Sequence, residues 1–303
     1  MLEMEFKPKK KIDDKITINS LKTITEFEQY VMKLSHTRNL LEITTIHLSC
    51  TELEEVPNLD HFPNLQFLYL DNNQIKKIPE LSYLPKLKCL DLENNCISKI
   101  ENLENLKHLN HLDLSSNQIE YIEGLDDLVN LEFLTLSENK INRINGLNNL
   151  QSLKYLMLDC NEISKIENLK GLENLREITL DFNKFENINY SCYSESLERL
   201  YLQFNHIKEF TDLPYFPNLR VLYLNYNEIS NISKLFSLKK LEILYLNHNR
   251  LKDISNLQNL VSLQELVLGD NNISDLSALK TLKKLRTLKT YNNPIKNNLE
   301  LVK

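Results

Sequence analysis

Apolar residues recur along most of the chain at a fixed interval of 22 residues. Each unit begins with the pattern LxxLxLxxN, as in residues 87–95, and its first apolar position advances in this step from Ile43 to Leu285. The alternation of apolar and polar positions in LxLxx predicts a short strand with one face turned inward. The pattern IxxIxxLxxL that follows has a spacing of three, which favours a 3₁₀ or short helical connection.

Twelve units of this kind, the last one a truncated cap, cover residues 43–303. One unit cannot bury both of its edges, whereas stacked units bury a continuous core, so the pattern predicts a solenoid. The predicted fold class is α/β, with a parallel β-sheet on the concave face of a curved solenoid and 3₁₀ or short helical segments on the convex side. The period therefore replaces the two compact domains that a length of 303 residues first suggests.

The residues before the first unit predict a cover for the open end of the solenoid. Thr25 and Glu28 have the spacing of a capping box at a helix start. Four apolar residues lie on one face of the same predicted helix: Phe27, Tyr30, Val31 and Leu34. We expect a flexible basic tail over residues 1–22 and an N-terminal helical cap over residues 23–42, with a partner-binding helix as the alternative for the cap.

Asparagine occupies the ninth position of every unit except the first, which has Thr51. A side-chain amide both donates and accepts hydrogen bonds, so stacked asparagines can satisfy the backbone groups that a turn leaves free. The series is Asn73, Asn95, Asn117, Asn139, Asn161, Asn183, Asn205, Asn227, Asn249, Asn271 and Asn293.

The seventh unit is irregular. Where other units place Leu-x-x-Leu, it has Ser191 and Ser194 within residues 189–196. We expect a convex loop in which a neighbouring Tyr or Cys side chain fills the gap, and a hinge or an accessory contact is the alternative.

The fifth position of each unit lies between two inward apolar positions and must point to the concave side. Acidic residues gather there and two positions beyond it in the earlier units: Asp71, Asp91, Glu93, Asp113 and Asp159. Aromatic residues occupy position five as Tyr69, Tyr201, Tyr223 and Tyr245, and position eight as Phe182, Phe204 and Tyr226. Exposed aromatic side chains anchor protein interfaces, so these residues predict a protein-binding surface. Cross-strand stacking that only supports the strands is the alternative.

The phrase NxIxxIENL stands at residues 95–103 and 161–169. It resembles the SDS22-like class of leucine-rich repeat proteins, which includes a regulatory subunit of protein phosphatase 1. This resemblance covers residues 43–303 and implies a concave face that docks the catalytic phosphatase subunit through acidic and aromatic residues. Residues of the right type are Asp91, Asp113, Tyr201, Tyr223 and Tyr245. Mid-solenoid, Thr135, Met157 and Thr179 are small or neutral and depart from that chemistry.

Composition excludes several other functions. A net charge of −6 argues against direct nucleic-acid binding, and the absence of an apolar run of ~18 residues argues against a membrane span. Four glycines, none in a phosphate-binding loop, argue against a nucleotide enzyme. His108 and His111 do not share a strand, so no metal site is expected. Asp91 and Asp113 form a carboxylate pair on an open wall, which favours an electrostatic role over catalysis.

The function expected from these features is a protein-binding scaffold without catalysis, cofactor or metal. We expect a monomer that holds a globular partner, the catalytic subunit of protein phosphatase 1 being the most specific candidate. Five cysteines without a pairing pattern indicate a reducing compartment such as the cytoplasm. The lysine-rich run at residues 7–11 is interpreted as a plain basic tail, with a nuclear-import signal as the alternative. The alternatives are a structural adaptor of a spliceosomal or cytoskeletal complex and an internalin-like adhesin.

Overall fold

The computed structural model describes residues 14–18, 23–37, 39–188, 193–210 and 215–296. These residues form fifteen strands and one α-helix, α1 (Ile24–Ser35). The strands are β1 (Lys15–Thr17), β2 (Thr45–His47), β3 (Phe67–Tyr69), β4 (Cys89–Asp91), β5 (His111–Asp113), β6 (Phe133–Thr135), β7 (Tyr155–Met157), β8 (Glu177–Thr179), β9 (Asn187–Ile188), β10 (Arg199–Tyr201), β11 (Glu209–Phe210), β12 (Val221–Tyr223), β13 (Ile243–Tyr245), β14 (Glu265–Val267) and β15 (Thr287–Lys289).

Thirteen of the described strands form one parallel sheet in chain order, while β9 and β11 pair separately. Neighbouring strands from β2 onward are offset by the sequence period, so that Leu68 pairs with Leu90 and Leu90 with Leu112. These three inward leucines have no exposed surface. The predicted solenoid with a concave parallel sheet is confirmed, because a strand every 22 residues can only stack on its predecessor.

The asparagines of position nine form the predicted ladder between repeats. Asn95 accepts a hydrogen bond from the backbone N–H of Ile75 at 3.0 Å and donates to the carbonyl oxygens of Leu70 and Leu92, both at 3.0 Å. Each such side chain therefore satisfies backbone N–H and C=O groups in its own repeat and in the preceding one. The last described member, Asn293, makes the same contacts to Ile273 and Leu268, both at 2.9 Å.

The residue just before each asparagine, at position eight, has a left-handed backbone with φ between 51° and 57°. Glycine is the usual choice for this conformation, yet all twelve described residues at this position carry side chains. Glycine does serve the convex side at Gly146 (φ 63°), where a Cβ would lie 2.3 Å from the carbonyl oxygen of Ile122.

Two elements cover the N-terminal end. Helix α1 buries Phe27 and Val31, and its N-cap is Thr23, whose Oγ1 accepts from the N–H of Glu26 at 3.2 Å. The predicted capping box at Thr25 was therefore placed two residues late. Strand β1 lies within the predicted flexible tail and corrects that prediction: it pairs with β2, and Ile16 is only 2% exposed. The lysine-rich run lies outside the described residues.

The convex side is only partly helical. Among the described residues, 3₁₀ helices occur at Leu40–Glu42, Ser233–Ser237, Ser255–Asn259 and Ser277–Thr281. Elsewhere the connections are tight turns, as where the N–H of Leu106 donates to the carbonyl of Leu103 at 3.0 Å.

Residues 189–192 of the irregular unit lie outside the described part. After them, Tyr193 stacks on Tyr215 with ring centroids 5.1 Å apart. The predicted filling of the gap at Ser191 by Tyr190 or Cys192 lies outside the described residues. None of the described helices is long and apolar enough to cross a membrane.

Candidate functional site

Each strand of the main sheet presents positions three and five to the concave face, on either side of the inward residue at position four. In β10, for example, Leu200 is 2% exposed, whereas Arg199 and Tyr201 are half-buried. Positions seven and eight follow the strand and form the rim of this face. The face therefore has four columns of side chains, and their residue types change along the solenoid.

Three of the predicted acidic residues converge into what we call the acidic cluster: Asp91, Glu93 and Asp113. One carboxylate oxygen from each lies within 4.8 Å of the other two. Strands β4 and β5 pair Asp91 directly with Asp113, and Glu93 follows two positions after Asp91. In the part of the chain that the structure describes, no Lys or Arg forms an ion pair with these carboxylates.

The crowding of negative charge shows in the pKa values of the acidic cluster. Burial, together with the negative charge of Asp113, raises the pKa of Asp91 to about 7. Burial also raises the pKa of Asp113, although hydrogen bonds from Ser115 oppose the increase. Adjacent carboxylates favour a proton or an outside cation because they repel each other when both are ionised. Carboxylates are also ligands of hard cations, so these three residues are the ones that could hold a metal ion.

Asp159, a fourth predicted acidic residue, is engaged inside the fold. Its Oδ1 accepts from the N–H of Asp181 at 2.8 Å, and its Oδ2 accepts from the hydroxyl of Thr179 at 2.5 Å. Asp181 repeats this contact one unit later, accepting from the N–H of Gln203 at 2.7 Å. Burial and the charge of Asp159 raise the pKa of Asp181 to about 6. These carboxylates link successive repeats.

Three predicted tyrosines form a continuous tyrosine column: Tyr201, Tyr223 and Tyr245. Tyr223 and Tyr245 stack in parallel with ring centroids 4.3 Å apart, while Tyr201 meets Tyr223 edge-on at 5.0 Å. The hydroxyl of Tyr245 donates to Glu265 at 2.5 Å. Burial raises the pKa of Tyr201 to about 12, so this phenol is neutral at physiological pH.

A second aromatic set, the rim stack, runs parallel to the tyrosine column at position eight: Phe182, Phe204, Tyr226 and His248. Consecutive ring centroids lie 4.3, 4.3 and 4.1 Å apart. Phe182 remains 52% exposed, and it has φ 54°. A left-handed backbone is unusual for a bulky aromatic residue. The stacking supports this conformation, and the outer edges of the rings still face solvent.

Tyr69 does not belong to either aromatic set. It stacks on His47 with centroids 4.2 Å apart, and strands β4 to β8 separate it from the tyrosine column. Of the aromatic residues predicted to form the site, the structure brings six together and leaves this one at the N-terminal end.

The prediction from positions five and eight did not include two aromatic residues at position three. Phe133 and Tyr155 at position three stack with centroids 4.6 Å apart, beside Thr135 and Met157. The middle of the face therefore carries aromatic rings at position three, while position five there remains small or neutral as predicted from the sequence. Period-two alternation marks position three as a concave position too, so the sequence did carry this signal.

Comparisons with known proteins agree with this architecture. The leucine-rich repeat region family matches residues 46–217, and two further leucine-rich repeat families match residues 217–259 and 259–280. A search of curated proteins finds no significant match. None of these family matches singles out SDS22-like proteins.

Solved structures resemble the chain over most of its length. An internalin (inlF) from Listeria monocytogenes is 27% identical, with 90% of this chain and 89% of the internalin covered and a TM-score of 0.69. A leucine-rich repeat protein of Leptospira interrogans is 22% identical, with coverage of 92% and 78% and a TM-score of 0.70. The TLR13–ssRNA13 complex gives 21% identity, coverage of 93% and 52%, and a TM-score of 0.71. The repeat pattern, the stacked sheet and the family match over residues 46–217 together show that this chain belongs to the leucine-rich repeat family.

Proposed function

We propose that this chain is a non-catalytic scaffold that holds a globular protein against its concave face. The observation that carries the proposal is the pair of aromatic columns on one side of the molecule. Phe182, Phe204 and Tyr226 are 52%, 39% and 41% exposed, although they lie next to a further column of half-buried tyrosines. Contiguous exposed aromatic surface of this kind marks interaction sites in soluble proteins.

The face also has the electrostatics of a docking surface for a basic protein. No Lys or Arg among the described residues pairs with the acidic cluster, and burial already raises the pKa of Asp91 to about 7. A basic surface would relieve this repulsion and would accelerate the encounter at low ionic strength. The same negative charge disfavours a phosphate backbone, so an RNA ligand such as the one in the TLR13 complex is not expected here.

The partner we propose is the catalytic subunit of protein phosphatase 1, which would make this chain an SDS22-like regulator. Support comes from the SDS22-type phrases at residues 95–103 and 161–169 and from the combination of acidic and aromatic residues on one face. The separate cysteines are compatible with a cytoplasmic or nuclear location, which belongs to the same proposal.

Surface plasmon resonance with the immobilised catalytic subunit tests the partner. We expect binding that Tyr223→Ala weakens and that Tyr121→Ala leaves unchanged. Tyr121 is the matched control because it is a 58% exposed tyrosine on the convex side. An absence of binding at about 10 µM phosphatase, equivalent to less than ~7 kcal/mol of association free energy, would eliminate this partner.

A second candidate is an internalin-like adhesin, favoured by the 27% identity to the Listeria internalin over 90% of this chain. The two candidates differ in the partner they retain. Affinity purification followed by mass spectrometry separates them, because an adhesin retains a cell-surface receptor and a phosphatase regulator retains the phosphatase. Loss of either partner on substitution of Tyr223 would place its binding on the concave face.

A further inference from the structure

One buried polar atom on the concave face has no hydrogen-bond partner. Asn225 lies at position seven of its unit and is only 6% exposed, and its Oδ1 neither contacts solvent nor accepts a hydrogen bond. A buried acceptor left unsatisfied costs about 1–3 kcal/mol, so native proteins rarely keep one without a reason.

The same position is satisfied in neighbouring repeats. Asp159 and Asp181 each accept from the backbone N–H of the position-seven residue in the next unit, at 2.8 and 2.7 Å. Asn225 does not receive the equivalent bond from Asn247. Asn247 is similarly buried, at 8% exposed, yet has no orphaned buried atom. The unsatisfied oxygen is thus a feature of Asn225 itself and not of position seven in general.

The location of Asn225 gives the orphaned oxygen a chemical context. Residue 223 precedes it in the tyrosine column and residue 226 follows it in the rim stack, so the amide stands between two aromatic columns. Gln203 precedes it at position seven, and its Nε2 donates to Asp181 at 2.7 Å. Asn225 thus occupies the column between the two aromatic columns, and a carboxylate lies two repeats away along its own column.

These surroundings specify the ligand group. An orphaned acceptor needs an N–H or O–H donor, aromatic faces attract a planar cation, and Asp181 supplies negative charge two repeats away in the same column. A guanidinium group meets all three requirements, because it is planar, always charged and carries five N–H donors. An ammonium group lacks the planar stacking surface.

We propose that the protein partner inserts an arginine side chain between the tyrosine column and the rim stack, where the guanidinium donates to Asn225 Oδ1. This inference rests on the proposed function, since it names the anchor of a partner on the concave face. Entry requires a ring beside Asn225 to turn aside. The ring that turns is that of Tyr226, which is 41% exposed and must leave its stack between Phe204 and His248. Side-chain rotamer changes of this kind are common when interfaces form.

Fluorescein-labelled tetra-arginine, tetra-lysine and tetra-citrulline peptides test the arginine site by fluorescence anisotropy on the full chain. We expect tetra-arginine to bind about tenfold more tightly than tetra-lysine, and tetra-citrulline to bind most weakly. Asn225→Leu should abolish the preference for arginine over lysine without lowering the thermal midpoint, because it replaces an unsatisfied buried amide by an apolar group of similar size. Asn247→Leu is the matched control and should keep the preference.

A second variant separates a lost contact from a lost fold. Asn225→Asp keeps the acceptor and adds charge, so we expect it to strengthen tetra-arginine binding. An arginine-to-lysine ratio that is equal in the wild type, or unchanged in both Asn225 variants, would overturn the inference. If that happens while Tyr223→Ala still releases a protein partner, the proposed function stands and only the arginine anchor fails.

Discussion

The two halves of the concave face carry different kinds of side chain at equivalent positions of the same repeated backbone. In units three and four the concave positions carry carboxylates that repel one another, and burial together with the charge of Asp113 raises the pKa of Asp91 to about 7. In units seven to ten the same positions carry rings that stack on one another, as Tyr223 does on Tyr245 at 4.3 Å. The aromatic residues find their partners within the chain, whereas no Lys or Arg among the described residues pairs with the acidic cluster.

For the proposed protein partner, this difference gives the two halves separate roles in binding. Charges that lie near a surface govern the rate of encounter and its dependence on salt, whereas buried aromatic anchors govern how slowly a complex dissociates. Of the two roles predicted for the aromatic residues, stacking is observed, and the outer edges of the stacked rings remain exposed to solvent. Substituting them therefore affects both the fold and the interface, by different amounts.

The largest expected effect is a loss of unfolding free energy when an asparagine of the ladder is replaced, and both halves should show it. Asn117 in the acidic half accepts from the N–H of Ile97 at 2.8 Å, and Asn227 in the aromatic half accepts from that of Ile207 at 2.9 Å. Replacing either by Ala leaves several buried backbone groups unsatisfied, and we expect each to lower the free energy of unfolding by about 3–5 kcal/mol. Urea denaturation measures this. A much smaller loss in one half would show that the ladder is not the common support.

The next largest effect is on partner binding, where a variant in each half should change a different rate constant. Tyr223→Ala should weaken the complex about thirtyfold, mostly by faster dissociation. Asp113→Asn should slow association about threefold to tenfold at low salt and have little effect in 0.5 M NaCl, a concentration chosen because it screens charges beyond ~4 Å. Kinetic surface plasmon resonance distinguishes the two. A dissociation defect in Asp113→Asn would mean that the acidic half contacts the partner directly.

A smaller effect concerns pH and the acidic half alone. The pKa of Asp91 in the folded chain, about 7, lies above its ordinary value of 3.8, so the folded state binds the proton more tightly than the unfolded state. Stability should therefore rise as the pH falls from 8 towards 5. We expect Asp91→Asn to add about 1–2 kcal/mol at pH 8, a figure reduced for solvent contact, and less than half of that at pH 5, because the penalty disappears only as the pH approaches the ordinary value of 3.8. Thermal unfolding of the variant and wild type at both pH values checks this; an equal gain at both would point to packing instead.

The smallest expected effect lies in the aromatic half. Phe182 ends the rim stack and has φ 54°, a conformation that asparagine tolerates and that Asn72 and Asn94 adopt at the same position. Phe182→Asn should leave the unfolding free energy within about 0.5 kcal/mol, because relief of backbone strain offsets the lost ring contact. Phe204→Asn, which loses two ring contacts, should cost about 1 kcal/mol more. Equal losses in the two variants would show that ring stacking contributes little.

Most of the fold was predictable because the repeat constrains it. A strand every 22 residues, a buried leucine at position four and an asparagine at position nine leave one way to stack. What the pattern did not predict was β1, since three residues without a repeat give no periodic signal. The orphaned oxygen of Asn225 was equally out of reach, because an asparagine looks the same in sequence whether or not a donor meets it.

The sequence alone determined the solenoid, its register and the list of residues on the concave face, because these depend only on spacing along the chain. The tertiary structure decided which of those residues are free to bind. It engaged Asp159 within the fold, stacked Phe133 on Tyr155 and Tyr69 on His47, and gave the acidic cluster no Lys or Arg partner among the described residues. These outcomes depend on contacts between side chains of successive repeats, and such contacts exist only after the repeats have stacked.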